Sequence, residues 1–262
     1  MSKWFKRKSS SHLPIKFLCF PYAGGTAQIY DDWHPFFEPM GIEVIAVQYP
    51  GRMERLAEPC ISSADQIVTA VISELKLAGM MDCSFLVYGH SNGAIAAFEF
   101  ARQYEKQGNQ TLQHLFLAAR NVPNEHHKSR SSMSDADLKQ EVKTLNGTPD
   151  ELLNNDEFME LVLPSLRADF SIGENYRLPI NLQLSSPAHF IYGTEENIDE
   201  KDTAQWQKFF VNSLSVLTLS AEHLFVNTHT AELLSMLRRV IESKVNVSLL
   251  KKSNPTRFNY LV

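Results

Sequence analysis

The segment SFLVYGHSNGAIAAF, residues 84–98, joins a run of apolar residues to a run of small ones. Its centre, Gly89-His90-Ser91-Asn92-Gly93, fits the pattern G-x-S-x-G, which places a serine on a tight turn between a strand and a helix. Bulky residues two positions before or after this serine would clash with neighbouring backbone, so the pattern requires glycine at both. The apolar run before the turn and the alanines after it predict that Ser91 is an exposed nucleophile. The adjacent His90 is predicted to point away from Ser91 and to serve packing.

Five further apolar runs bounded by turn residues predict strands, at 15–21, 42–49, 114–118, 188–192 and 214–219. Several are apolar at consecutive positions, as in strands buried on both faces of a parallel sheet. Helical patterns lie between the runs, at 63–80, 93–107, 203–211 and 230–245. This alternation predicts an α/β fold in which right-handed βαβ units build one mostly parallel sheet flanked by helices.

Residues 121–186 interrupt the alternation, because they contain no convincing strand pattern. A helix start at Ser134, a turn at 146–149 and an amphipathic run at 156–170 predict a helical insertion. Since ligands bind at the carboxyl edge of such sheets, we interpret the insertion as a lid, with extra helices on a sheet face as the alternative. Residues 13–245 are predicted to form one domain, and the polar tails 1–12 and 246–262 are predicted to be flexible.

Composition narrows the class of protein. The chain has 262 residues, of which 44% are hydrophobic, and a net charge of −5, unlike a basic nucleic-acid-binding domain. The sequence has neither a signal-peptide pattern nor an apolar run of about 18 residues, so we expect no membrane span. Its three cysteines form no C-x-x-C pattern, which favours reduced thiols and a cytoplasmic location. No metal-ligand set is evident, and we expect neither a metal nor another cofactor.

A catalytic serine needs a base, and the base needs an orienting acid. In the α/β-hydrolase fold, where this strand–turn–helix unit carries the nucleophile, the chain order is serine, acid, histidine. His223 directly follows the last predicted strand and is favoured as the base over His229, which approaches a helix. The acid should follow the strand at 188–192, where sequence order does not choose among four carboxylates: Glu195, Glu196, Asp199 and Glu200.

The negative charge that develops on a substrate carbonyl oxygen needs two backbone N–H donors, which form an oxyanion hole. One donor is predicted at Asn92, next to the nucleophile. The other is predicted at Ala23, in the loop Pro21-Tyr22-Ala23-Gly24-Gly25, whose glycines allow backbone to approach a ligand closely.

Several motifs together resemble those of type II (stand-alone) thioesterases, which serve nonribosomal peptide and polyketide synthases. The resemblance covers roughly residues 15–240. Six short segments carry it: residues 20–25, Trp33, Tyr49-Pro50-Gly51-Arg52 with Arg55, residues 89–94, residues 163–169 (LPSLRAD) and residues 222–225 (EHLF). The PGR turn and the LPSLRAD motif are the most specific, because other α/β-hydrolases lack them. The resemblance implies an α/β-hydrolase fold with a lid. It also implies hydrolysis of acyl or aminoacyl thioesters on the phosphopantetheine arm of carrier proteins, in editing or release.

Two positions depart from the family pattern. Asn92 stands where the family usually has methionine, which keeps the backbone N–H but gives the pocket wall a polar side chain. The family acid is usually aspartate, three residues after a glycine and ten before a tryptophan. Counting from Gly193 and from Trp206 gives Glu196 in both cases, with Asp199 in reserve.

The resemblance also implies the chemistry: His223 activates Ser91, Ala23 and Asn92 stabilise the oxyanion, and water hydrolyses the acyl-serine. The alternatives are a general carboxylesterase or lipase, and a catalytically inactive binding module of the same fold. We expect a monomer that binds carrier protein domains. Because carrier proteins are generally acidic, cations around the channel mouth would assist encounter with them. We predict that some of six cations lie there, with scattered surface charges as the alternative: Arg52, Arg55, Lys128, Arg130, Lys139 and Lys143.

Overall fold

Six parallel strands and one antiparallel edge strand form the sheet of this computed structural model, which describes residues 2–7, 13–123, 129–145, 150–179 and 181–245. The strands are β1 (Phe5–Lys6), β2 (Ile15–Phe20), β3 (Ile42–Val47), β4 (Ser84–His90), β5 (Leu112–Ala118), β6 (Ala188–Gly193) and β7 (Ser215–Leu219). Their order in the sheet is β1-β3-β2-β4-β5-β6-β7, and only β1 runs antiparallel among these described strands. The predicted mostly parallel sheet is therefore confirmed.

The position of the central strands explains why their sequences are almost entirely apolar. Every residue of β2 and β3 is buried, because helices cover both faces of the sheet. Two charged residues, Lys16 and Glu43, are exceptions that lie side by side in the parallel register and form a buried ion pair. Pairing offsets the cost of burying each charge at the amino end of these strands.

Helices pack on both faces and create two apolar cores. One core contains side chains of α2 (Ala64–Leu77), α3 (Asn92–Lys106) and α7 (Glu200–Gln207), and the other contains those of α1 (Trp33–Phe37) and α9 (Thr230–Lys244). Helix α2 begins at the start of the helical pattern predicted at 63–80, where the Ser63 hydroxyl accepts a hydrogen bond from the Gln66 N–H. A single turn, α8 (Phe225–Thr228), precedes α9.

Three helices lie between β5 and β6: α4 (Asp135–Thr144), α5 (Asp150–Leu153) and α6 (Asp156–Asn175). Ser134 caps α4, and α6 continues beyond the amphipathic run at 156–170 that predicted it. The helices share a small apolar core of their own, formed by Leu138, Val142, Leu153, Met159, Leu163 and Leu166. The turn predicted at 146–149 lies outside the described residues. Across the described ranges, every helix is too short or too polar to span a bilayer.

The amino-terminal segment differs from its prediction. Phe5 and Lys6 pair with Val47 and Ala46 of β3, and the Gln48 N–H donates to the Trp4 carbonyl at 2.8 Å. The indole of Trp4 also stacks on a guanidinium, with Arg55 Cζ 4.1 Å from its ring centroid. The prediction of a flexible tail is therefore wrong for residues 2–7, since a two-residue strand is too short to leave a periodic pattern. The predicted tail at 246–262 lies outside the described residues.

Candidate active site

Ser91 lies on a strained turn between β4 and α3. Its φ of 54° and ψ of −119° are unusual for a residue with a side chain, at a cost of about 1–3 kcal/mol. A Cβ at Gly89 would lie 2.0 Å from the Gly93 carbonyl oxygen, and one at Gly93 would lie 2.2 Å from that of Phe20. Both glycines are required because backbone occupies the space of any side chain, as the sequence pattern predicted.

Three side chains form a hydrogen-bonded line that begins at this serine. His223 Nε2 lies 3.0 Å from Ser91 Oγ, and His223 Nδ1 lies 2.6 Å from Glu196 Oε2. An ionised carboxylate only accepts hydrogen bonds, so Nδ1 carries the proton and the unprotonated Nε2 faces the hydroxyl. This is the tautomer that allows an imidazole to remove a proton from a serine.

Among the four carboxylates that the sequence left open, the structure brings Glu196 to His223. The Glu196 side chain is 3% exposed, and its second oxygen accepts a hydrogen bond from the Gly193 N–H at 2.8 Å. Asp199 is instead the exposed N-cap of α7, where it accepts from the N–H groups of Lys201 and Asp202.

The competing histidine, His229, is also away from the line of three side chains. Its Nδ1 lies 2.9 Å from the Thr228 hydroxyl, at the start of α9.

His90 points away from Ser91, but it does more than pack. Its ring is fully buried, with Nε2 2.7 Å from the His223 carbonyl oxygen and Nδ1 3.0 Å from the Tyr88 hydroxyl. Burial, together with the neighbouring His223 ring, lowers the pKa of His90 to about 3, so the His90 ring is neutral near pH 7. Because a carbonyl oxygen only accepts, Nε2–H donates to the His223 carbonyl and fixes the loop that carries the predicted base. The sequence offered one signal for this role, a polar ring at the end of a buried strand.

The two predicted oxyanion donors are available. The neighbouring N–H groups of Gly24 and Gly25 are occupied, by Asp169 Oδ2 at 2.7 Å and by the Tyr22 carbonyl at 2.9 Å. Within the described residues, the N–H groups of Ala23 and Asn92 have no acceptor. Asn92 directly follows the serine, and Ala23 lies in the loop after β2, the neighbour of β4, so both residues come from the carboxyl edge of the sheet.

The side chain of Asn92 is directed towards the lid. Its amide donates to the Asp169 carbonyl and accepts from Arg120 Nη1 at 3.2 Å. This polar side chain is therefore occupied by protein groups, while the backbone N–H of the same residue stays available.

A cavity of about 800 Å³ opens beside His223 and Glu196. The carboxyl-terminal end of lid helix α4 forms one wall, and the loops after β5, β6 and β7 form the others. The lining residues are Ala119, Arg120, Asn121, Thr144, Leu145, Glu195, Glu196, Asn197, Ile198, Ser220, Glu222, His223, Leu224, Thr228 and His229. In the described part of the chain, no cluster of three or more His, Cys, Asp or Glu side chains is arranged to hold a metal ion.

Two of the six cations predicted around the channel mouth are not on the surface. Arg52 and Arg55 are buried, Arg52 against Asp169 and Arg55 against Glu58 and the Gln48 carbonyl. Their carboxylate partners stabilise them inside the fold, and the sequence does not reveal the distant partner Asp169.

Lys139 and Lys143 lie on lid helix α4, and Arg130 precedes this helix. Arg130 and Lys139 form ion pairs with Glu141 and Asp156. Lys128 lies outside the described residues.

Comparison with known proteins identifies the family. The family model of the thioesterase domain matches residues 16–241. The chain belongs to the thioesterase family. Gramicidin S biosynthesis protein GrsT of Aneurinibacillus migulanus is 31% identical to this thioesterase over 257 residues, covering 94% of this chain and 98% of that one. Thioesterase TesA of Mycobacterium marinum is 32% identical over 220 residues, covering 82% and 86%.

A solved thioesterase structure has the same fold as this chain. The type II thioesterase BorB from the borrelidin biosynthetic cluster superposes with a TM-score of 0.80 at 27% identity, covering 90% of this chain and 96% of that one. The resemblance to type II thioesterases and the α/β-hydrolase fold are thereby confirmed.

Proposed function

We propose that this thioesterase is a serine hydrolase that releases acyl or aminoacyl groups from the phosphopantetheine arm of carrier proteins, as an editing or release enzyme of nonribosomal peptide or polyketide synthesis. The observation that carries the proposal is the hydrogen-bonded line Ser91–His223–Glu196. The family membership supplies the thioester bond as the target, and the relatives GrsT and BorB support a biosynthetic setting.

The first half of the reaction acylates the serine. His223 Nε2 takes the hydroxyl proton while Ser91 Oγ attacks the thioester carbonyl carbon, and Glu196 stabilises the imidazolium that forms. The carbonyl oxygen becomes an oxyanion, which accepts hydrogen bonds from the N–H groups of Ala23 and Asn92. When the tetrahedral intermediate collapses, the carbon–sulfur bond breaks and His223 returns its proton to the leaving pantetheine thiol.

The second half regenerates the enzyme. His223 removes a proton from a water molecule, which attacks the acyl-serine carbonyl through the same oxyanion hole. Collapse breaks the ester bond, returns the proton to Ser91 Oγ and releases a carboxylic acid. Each step uses only side chains, backbone N–H groups and water, so we propose no resident metal or other cofactor.

The cavity supports a substrate carried on a long arm. Its volume of about 800 Å³ is in the range of small-molecule sites, and it reaches His223 between the lid and the sheet loops. An acyl-pantetheine arm entering there would leave the carrier domain outside. All proposed members of the site come from one chain, so it is complete in a monomer. Three free cysteines fit our proposal of a cytoplasmic enzyme.

Steady-state kinetics on matched substrates test the proposal. We expect a higher kcat/KM for an acyl-carrier protein than for the same acyl group on N-acetylcysteamine or p-nitrophenol, because the carrier adds contacts outside the cavity. Equal or better turnover of the p-nitrophenyl ester would favour a general carboxylesterase. A fluorophosphonate probe that failed to label the wild type at Ser91 would favour an inactive binding module.

A further inference from the structure

Lid helix α6 lies directly on the oxyanion loop at Gly24. A Cβ at Gly24 would be 2.8 Å from Leu166 Cδ2, so the leucine side chain packs on the glycine backbone. The Gly24 N–H donates to Asp169 Oδ2, one helical turn further along α6, at 2.7 Å. With a φ of 77°, Gly24 also has a conformation that side chains disfavour, so this contact depends on glycine twice.

The Asp169 carboxylate is 1% exposed and forms a two-pronged ion pair with Arg52 of the PGR turn. Arg52 Nη1 and Nη2 lie 2.7 and 2.8 Å from its two oxygens. Arg52 Nη1 also donates to the Gly25 carbonyl at 3.2 Å. Asp169 thus binds the N–H of Gly24, and its ion-pair partner Arg52 binds the carbonyl of Gly25.

Asp169 also reaches the other half of the oxyanion hole. Its main-chain carbonyl accepts a hydrogen bond from the side chain of Asn92, whose backbone N–H is the second donor. One lid residue therefore contacts both segments that supply the proposed donors. A buried ion pair adds little net stability over apolar packing. Stability alone therefore does not explain why Arg52 and Asp169 are paired at this place.

We propose that Asp169 is a positioning residue that sets the geometry of the oxyanion hole, so that docking of the lid and catalytic competence are coupled. The inference rests on the proposed function, because it takes Ala23 and Asn92 as the oxyanion donors. The physical reason is that hydrogen-bond donors act in catalysis only when they are fixed in advance at the oxygen's position. A displacement of about 1 Å is enough to cost about 100-fold in rate.

The test compares Asp169→Asn with a matched control, Glu43→Gln. Glu43 is likewise 1% exposed and paired with buried Lys16, but it lies at the amino edge of the sheet, away from the site. Activity is measured on p-nitrophenyl acetate, whose turnover does not depend on carrier recognition, and is expressed per active site after titration with a fluorophosphonate. We expect Asp169→Asn to lower kcat about 100-fold with KM changed less than about threefold, and Glu43→Gln to leave kcat per site unchanged.

A transition-state analogue separates positioning from a merely structural role. A trifluoromethyl ketone forms a hemiketal with the serine and places its oxyanion in the hole, so its inhibition constant should rise in Asp169→Asn by the same factor as kcat falls. A structural role would reduce the fraction of active enzyme and leave kcat per site and inhibitor affinity at wild-type values. That result would overturn the proposal.

Asp169→Asn leaves the Arg52 charge buried without its partner, which can unfold the chain. The double variant Arg52→Met/Asp169→Leu removes both charges, and we expect it to fold and show the same loss of kcat. A folded double variant with wild-type kcat per site would refute the positioning role. If the wild type hydrolysed the ester but not an acyl-carrier thioester, the proposed substrate would be wrong while the role of Asp169 would stand.

Discussion

At the scale of single residues, the site depends on which carboxylate meets His223. Glu196 is enclosed and bonded to both His223 and the Gly193 N–H, whereas Asp199 caps a helix in solvent. The two residues are three positions apart, yet one contacts a histidine inside the site and the other caps a helix on the surface. A pair of substitutions therefore tests the proposed catalytic role of Glu196 against the capping role of Asp199.

We predict that Glu196→Gln lowers kcat/KM by about 10⁴, because a neutral amide neither stabilises the imidazolium nor fixes the tautomer of His223. Asp199→Asn should keep full activity, since asparagine is also a good N-cap. Both variants are assayed on one acyl thioester, with circular dichroism to check folding. Similar small losses in the two variants would mean that the acid comes from elsewhere.

Local patterns predicted some of these residues and not others. Ser91 and His223 could be identified because each follows a strand in a short recognisable segment. Glu196 needed the spacing of a known family, since residue type alone left four carboxylates equal. The pair Arg52–Asp169 could not be predicted, because 117 residues separate its members and only the folded lid brings them together.

At the scale of secondary-structure elements, long strands were predicted well and the shortest one was not. Burial on both faces makes β2, β3 and β4 mostly apolar, with Lys16 and Glu43 as charged exceptions, and that signal is strong in the sequence. Strand β1 has two residues, and its stability comes from pairing with β3 and from the contact of Trp4 with Arg55. The lid helices were predicted as an insertion, but their contact with the oxyanion loop depends on tertiary packing.

The edge strand gives a prediction of its own. Trp4→Ala should lower the free energy of unfolding by about 1–2 kcal/mol, because it removes the stacking on Arg55 and the packing that fixes β1. It should leave kcat unchanged, since β1 lies at the sheet edge away from Ser91. Urea unfolding of the variant and the wild type measures the difference. A variant as stable as the wild type would show that the Trp4 side chain contributes nothing to stability.

At the scale of the whole molecule, two groups of histidines lie towards opposite ends of the strands. His223 and His90 lie at the carboxyl edge with the site, while His114 and His189 form a buried pair on β5 and β6, with Nε2 of His114 2.6 Å from Nδ1 of His189. Burial, together with the neighbouring charges of His189 and Lys244, lowers the pKa of His114 to about 3. Burial and Lys244 lower the pKa of His189 to about 4. Both rings are neutral in the folded protein near pH 7.

These shifts predict that acid destabilises the fold. The unfolded chain takes up protons on both histidines below pH 6.5, whereas the folded chain does so only near pH 4 and below. The free energy of unfolding should therefore fall as pH falls from 6.5 to 4, by at most about 1.4 kcal/mol per pH unit for each histidine. Urea unfolding across this range should show a shallower slope in His114→Leu/His189→Leu. An unchanged slope in that variant would assign the acid sensitivity to other groups.

We propose that Ser91 is the nucleophile that hydrolyses the thioester of a carrier-bound acyl group. The most direct measurement follows the mass of an acyl-carrier protein by intact-protein mass spectrometry while it is incubated with the wild type or with Ser91→Ala. We predict that the wild type converts the acylated carrier to its free-thiol form. Ser91→Ala should show a rate lower by about 10⁶ and an unchanged circular dichroism spectrum. A folded Ser91→Ala variant that deacylates the carrier at more than about a hundredth of the wild-type rate would show that Ser91 is not the nucleophile.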